Sequence, residues 1–335
     1  MSTDIVAEPK QTYFLRLVQQ LRLAAERLLV IGGLAVCLQV ILIWCSRFHP
    51  VLELANHFSV HGLVLGTLLL CGLCLRRRRS SSLLVGLAVI YLAWLVQPWS
   101  LYLANAQTIP AAHSRSIKVL SWNILATNQA YAEVEAVVRA ADADIVLLIE
   151  TQPTFDKELS GITASYPLNL RHLQWGGSGI SAFCRIPGAH LELLDLGVDR
   201  MLAIVVTIPG ESATPAVKLV GIHTLSPNPP RRAIPRDLQL YNLANWAVEQ
   251  TVPLCACGDL NTTPWTRSFQ YLLDSGFRDS RTGVGNNASW PHWMGVCGIP
   301  IDHALTRGAC SISHRQVLSS GSNSDHRPLS FTLHY

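Results

Sequence analysis

The chain has 335 residues, 49% hydrophobic and only 14% charged, with a formal net charge of +4. A positive balance indicates a nucleic-acid groove only where it sits in the folded globule. Residues 1–110 hold nine Lys/Arg against four Asp/Glu, whereas residues 111–335 hold seventeen against eighteen, which argues against a long basic groove.

Residues 1–27 place Lys10, Arg16, Arg22 and Arg27 among apolar residues at helical spacing, which predicts an amphipathic segment at the cytoplasmic surface. Residues 28–46, 54–75 and 80–114 contain no Asp, Glu, Lys or Arg. Each is long enough to cross a bilayer, which takes about 17–25 residues, so three transmembrane helices are expected near 28–46, 57–75 and 82–104. The first connection offers only Arg47 against Glu53, while Arg76 to Arg79 follow the second span. The positive-inside rule then keeps the N-terminus in the cytoplasm and carries everything beyond the third span across the membrane. For a bacterium this means a multi-pass inner-membrane protein with a periplasmic domain. Residues 105–116, with Pro110, form the linker, and 117–335 the domain.

That domain repeats one pattern, an apolar strand delivering polar residues to its end. Ile117 to Leu120 lead to Ser121-Trp122-Asn123; a helix at Ala130 to Ala141 follows; Ile145 to Ile149 ends at Glu150. A carboxylate directly after such a run needs a partner once buried, and a divalent cation is an oxygen-seeking one. Gly176 to Gly179 reads as a turn rather than a phosphate cradle. Strands are expected at Ile180 to Phe183, Leu191 to Leu196, Met201 to Ile208 and Ala216 to Ile222, the last ending in His223-Thr224. A loop with Arg231, Arg232 and Arg236 precedes a helix at Asp237 to Gln250. Val252 to Cys257 then ends in Gly258-Asp259-Leu260-Asn261-Thr262-Thr263-Pro264. On an extended chain Asp259 and Asn261, two apart, face one volume, and Thr263 is a candidate cap for the helix that follows. Trp290 and Trp293 serve either substrate stacking or loop packing. Asp302 and Asp325-His326 lie near the beginnings of two further strands.

None of the nine cysteines has metal-knuckle spacing, and a periplasmic location would allow one disulfide, Cys297 to Cys310.

Ser121-Trp122-Asn123, Ile149-Glu150, Gly221-Ile222-His223, Gly258-Asp259-Leu260-Asn261, Ile301-Asp302-His303 and Ser324-Asp325-His326-Arg327-Pro328, in this order, resemble the endonuclease/exonuclease/phosphatase superfamily. The resemblance covers residues 117–335. It implies a four-layered α/β sandwich, two packed mixed β-sheets flanked by helices, here preceded by three transmembrane helices. It also implies a phosphoester hydrolase, of phosphodiesters above all, with Mg²⁺ or Mn²⁺ held by Glu150, Asn123 and Asp325. Asp259, with Asn261, orients or deprotonates water; His326 with Asp302, and His223, meet the phosphoryl oxygens. Whether Asp259 or His326 is the base stays open. Arg327, Trp290 and Arg232 are candidate substrate contacts, whereas His303 points the other way along its strand and reads as structural. The expected partners are the lipid bilayer and a phosphoester, either lipid-type or nucleic acid, the latter not favoured by charge. The alternative is a silent binding or sensory module that keeps the fold; such a module would be expected to lack Glu150, Asp259 or His326, and all three are present. The sequence is silent on oligomeric state.

Overall fold

The computed structural model describes residues 10–104, 115–211, 215–319 and 323–335, and the chain divides into two units, Met1–Val96 and Gln97–Tyr335. The first unit contains α1 (Lys10–Cys45), α2 (Pro50–His57), α3 (Ser59–Leu75) and α4 (Arg79–Val96). From Lys10 onward the expected surface segment is the first part of α1, because no proline interrupts the ladder before Cys45. Phe14–Cys45 and Arg79–Val96 are each long and apolar enough to cross a membrane, and α2 with α3, bent by 60°, makes a third span if the pair is taken together. At that bend the Gln39 amide donates to the Ala55 and Phe58 carbonyls, at 3.2 and 3.0 Å. A side chain from a neighbouring helix thus satisfies backbone groups near the break. The last helix stops at Val96 rather than near 104, since Gln97 adopts left-handed backbone (φ 50°) and Pro98 follows.

The second unit opens with α5 (Pro98–Tyr102); Ser100 accepts a hydrogen bond from the Gly283 amide. Of the linker expected at 105–116, residues 105–114 lie outside the described residues. One sheet contains β1 (Ser116–Asn123), β2 (Ile145–Ile149), β3 (Leu168–His172) and β4 (Ile180–Cys184). The other contains β5 (His190–Leu194), β6 (Ala203–Ile208), β7 (Val217–His223), β8 (Leu254–Asp259), β9 (Arg278–Asp279) and β10 (Asp302–Arg307). The chain then returns to the first sheet with β11 (Ser311–Val317) and β12 (Leu329–His334). The strand orders are β11-β12-β1-β2-β4-β3 and β5-β6-β7-β8-β10-β9. Within each sheet one pair is parallel, β1 with β2 and β7 with β8, and the remaining pairs are antiparallel.

Alternation explains the layers. Val119, Leu147, Leu219, Cys255 and Cys257 point into the core between the sheets. Their neighbours Leu120 and Leu148 face a core shared with α6 (Tyr131–Ala141), α7 (Phe155–Glu158) and α8 (Ser160–Ser165). Val220 and Ala256 face α9 (Ala233–Val248) and α10 (Arg267–Asp274) on the other side. Two glycines permit the central approach: a Cβ on Gly221 would lie 2.7 Å from Leu147, and one on Gly258 (φ +145°) would lie 1.9 Å from the Ile222 carbonyl oxygen.

Three local expectations are corrected. Helix α9 begins at Ala233, not Asp237, because Pro235 fits a first turn where no amide partner is needed. Thr266, not Thr263, caps α10 by accepting from the Phe269 amide. The structure does not join Cys297 to Cys310 in a disulfide. Cys297 is exposed, whereas Cys310 is buried against the Leu254 and Arg307 carbonyls, and burial pushes its thiol up to about 11.

Candidate active site

A parallel strand and its antiparallel neighbours bring opposite chain ends to one rim. Asn123, His223 and Asp259 therefore close β1, β7 and β8, and Glu150 follows β2, while Asp302 opens β10 and His326 precedes β12. The register aligns Asp259 with His223 on one side and with Asp302 on the other.

Asn123 ties the two sheets together. Its buried amide donates to Glu150 Oε1 at 2.8 Å and to Asp259 Oδ2 at 3.0 Å. Its own oxygen accepts from the Leu125 amide, which fixes the orientation of the group. Glu150 takes left-handed backbone (φ 66°), and its Oε2 accepts from the Ala126 amide at 2.8 Å. Holding a non-glycine residue there costs roughly 1–3 kcal/mol, a strain of the kind that clusters at functional sites.

Asp259 is the hub. Its Oδ2 also accepts from Asn261 Nδ2 at 3.2 Å, and lies 3.6 Å from His326 Nε2 and 3.7 Å from His223 Nε2. Asp259 and Asn261 do converge, though not on an extended chain. Asn261 is left-handed (φ 45°), and its amide nitrogen donates to Asp259 Oδ1 at 2.9 Å in a tight Asx-type turn. His326 Nδ1 donates to Asp302 Oδ2 at 2.9 Å. Burial pushes Asp259 up to about 6, offset in part by His326. Burial lowers His326, but the Asp302 and Asp259 carboxylates outweigh it and raise the imidazole to about 10. Near neutrality the site therefore pairs an anionic Asp259 with a cationic His326.

Two places could take a cation. Asp259, Asp302 and His326 offer donor atoms within 4.8 Å of one another, but His326 Nδ1 is engaged with Asp302 at 2.9 Å and the two flanking carboxylates favour the protonated imidazole. Glu150 and Asp325 offer oxygens instead, and Asp325 Oδ1 is buried with no hydrogen-bond partner among the described residues. Half-buried carboxylate oxygens fit a hard cation such as Mg²⁺, whereas Asn123 turns its nitrogen toward Glu150 and its oxygen to the Leu125 amide.

Of the expected substrate contacts, the structure reassigns Arg327. Its guanidinium is spent on the Leu318, Ala288 and Val317 carbonyls. Trp290 donates its indole N–H to Asp325 Oδ2 at 2.8 Å, so it positions a site carboxylate. Arg232 is exposed and donates to the Asn228 carbonyl of its own loop rather than to a residue of the hydrogen-bonded cluster.

Several supporting groups went unassigned in the sequence. Ser324 Oγ donates to the Asn123 carbonyl and accepts from the His326 amide, and Trp122 Nε1 donates to the His326 carbonyl. Behind Asp302, Ser289 Oγ accepts its amide, and the buried Arg315 donates to its carbonyl. The Ser-Asp-His-Arg-Pro and Ser-Trp-Asn stretches contain two of these groups. No local signal marks Ser289 or Arg315.

His303 is fully buried, with Nε2 2.9 Å from the Thr262 carbonyl and its ring 4.7 Å from Phe269. Burial, with the Arg281 guanidinium second, pushes its pKa down to about 4. An unfolded histidine binds its proton near 6.5, so the stability that His303 contributes is full above about 6.5 and is lost as pH falls toward 4. The loss is on the order of 3 kcal/mol. Asp259 acts with opposite sign over part of this window, because its buried charge is relieved on protonation. We therefore expect a larger fall in Tm between about pH 7 and 4.5 for the parent than for His303→Gln, read by thermal unfolding in detergent. Equal falls would mean that the folded protein protonates His303 freely.

Two packed mixed sheets with outer helices, and carboxylates, amides and imidazoles gathered at one rim, define a phosphoesterase type of sandwich. The chain belongs to the endonuclease/exonuclease/phosphatase family, whose profile matches residues 120–326, over half of the 335 residues. Family members are divalent-metal-dependent hydrolases and nucleases. Among solved structures, humanized D. rerio TDP2 carrying 14 mutations is 15% identical, with a TM-score of 0.55 over 65% of this chain and 98% of the other. D. rerio TDP2 complexed with a single-strand DNA product gives 0.54 at 15% identity, over 65% and 98%. The 3′ phosphatase NExo from Neisseria, bound to a product DNA hairpin, gives 0.51 at 19% identity, over 64% and 98%. At these identities the likeness is one of fold. No match was found among curated proteins.

Proposed function

We propose that this protein is a membrane-anchored, Mg²⁺-dependent phosphoester hydrolase, acting on phosphodiesters above all, with its catalytic unit outside the cytoplasm. The observation that carries the reading is Asn123, whose single amide holds Glu150 and Asp259 within hydrogen-bonding reach of one nitrogen. The α1–α4 unit supplies the anchor, and the arginines at 76–79 the orientation. Glu150, Asn123 and Asp325 would hold Mg²⁺, with Mn²⁺ the alternative, and the metal supplies charge neutralisation at a phosphate oxygen. Asp259, ionised above about 6 and steadied by Asn261, positions the attacking water and takes its proton. His326, protonated and backed by Asp302, and His223 donate to the non-bridging oxygens as negative charge develops.

The test uses the full chain in detergent with Mg²⁺ against bis(p-nitrophenyl) phosphate, plasmid DNA and phospholipid, with Asp259→Asn as control. Divalent-dependent turnover that falls about a thousandfold in the variant supports the reading; turnover equal in both would remove it. Trp290→Phe keeps the ring but frees Asp325, and is expected to weaken Mn²⁺ binding about tenfold by calorimetry, with Tm unchanged.

A further inference from the structure

We propose that the loops around the mouth of this site form a bilayer-docking surface, through which the site meets phosphoesters presented by the membrane itself. The clearest feature is the turn His292–Cys297, where Trp293, Met294 and Val296 are 68%, 43% and 87% exposed. Isolated exposed apolar residues are ordinary on protein surfaces. This turn differs in carrying three of them within four positions, with no Asp, Glu, Lys or Arg between Trp290 and Pro300. It is also pinned to the site: Trp290 donates to the Asp325 carboxylate, and the His292 amide to the Asp325 carbonyl at 2.7 Å.

Two other segments next to site residues each expose one large apolar side chain. Trp175, 57% exposed, belongs to the turn Trp175–Gly177, where a Cβ on Gly177 would lie 3.5 Å from the Glu150 carboxylate. Ile234, 64% exposed, stands in the first turn of α9, two residues from Arg236, whose guanidinium reaches the Asn261 carbonyl at 3.3 Å. The exposed Arg231 and Arg232 precede it.

The composition of this rim selects the occupant. Tryptophans favour the headgroup boundary, aliphatic side chains the acyl layer beneath it, and arginines anionic headgroups. A nucleic-acid surface would use the tryptophans and arginines but leave Met294, Val296 and Ile234 facing water, and the near-neutral balance of residues 111–335 does not favour it. The candidate spans end at Val96 and the second unit begins at Gln97, so this direct covalent link keeps a bilayer at high effective concentration. Docking rests on the anchoring in the function proposed above, and the choice of substrate class rests also on its hydrolase activity.

The experiment reconstitutes the full chain and Trp293→Phe in vesicles of phosphatidylcholine and phosphatidylglycerol, with or without bromine on the acyl chains. Subtracting the two emission spectra isolates Trp293 from the other tryptophans. A blue-shifted difference emission, at least halved by bromine, is the expected result. A water-like emission untouched by bromine would overturn the proposal. So would a blue-shifted emission that bromine leaves intact, the mark of a second copy or another protein, or quenching that appears only with single-stranded DNA. A second arm compares the parent with the double variant Met294→Ser, Val296→Ser. Hydrolysis of a bilayer phosphodiester should fall about tenfold while that of bis(p-nitrophenyl) phosphate holds; equal losses on both would overturn it. If the parent hydrolyses neither, the hydrolase reading fails, and the emission measurement still decides docking.

Discussion

Replacing His326 by alanine is expected to lower kcat on a soluble phosphodiester by about a thousandfold while KM changes little. The imidazole lies between two buried carboxylates, 2.9 Å from Asp302 and 3.6 Å from Asp259, and this arrangement keeps it charged. A cation held in place before the reaction gains most when negative charge builds on phosphorus, so the loss should fall on kcat. Alanine also leaves Asp259 and Asp302 buried without their counter-charge, which lowers stability. His326→Gln separates the effects, because it retains a donor without the charge. We expect it to unfold within a few degrees of the parent and still lose about a hundredfold in kcat. Activity within threefold of the parent in both variants would exclude His326 from the chemistry.

Removing the Glu150 carboxylate should weaken divalent-cation binding by about a hundredfold. Mn²⁺ binding followed by electron paramagnetic resonance reads this without substrate. Glu150→Gln, which conserves volume, should lose nearly as much, since the charge rather than the shape attracts the ion. Asp302→Asn should leave Mn²⁺ affinity within about threefold while it lowers turnover, because Asp302 serves the imidazole. The opposite pattern, unchanged binding in Glu150→Ala and lost binding in Asp302→Asn, would move the ion to the Asp259, Asp302 and His326 cluster.

Much of the fold was legible in the sequence because the domain core is built from strands with strong local signals. The five apolar residues of β2 were readable with their bounds unchanged. The edge strands β3 and β11 were not, since a strand covered on one side carries polar residues such as Asn169, Arg171 and His314. The candidate spans were visible as uncharged runs, but the break of the second into α2 and α3 was not, because the Gln39 amide that satisfies the freed carbonyls comes from another helix.

The site divides along the same physical line. By itself the sequence determined which side chains stand at strand ends, since an apolar run halted by Asn, Glu, His or Asp is a local pattern. It also determined that residues 111–335 are near neutral and that the apolar runs precede them. Only the tertiary structure decided which atoms meet. Asn123 bridges Glu150 and Asp259 across two sheets, Asp325 is held by Trp290, and Arg327 is consumed by backbone carbonyls. Hydrogen-bond partners and burial depend on separations through space between residues as many as 204 positions apart, and no pattern along the chain encodes those distances.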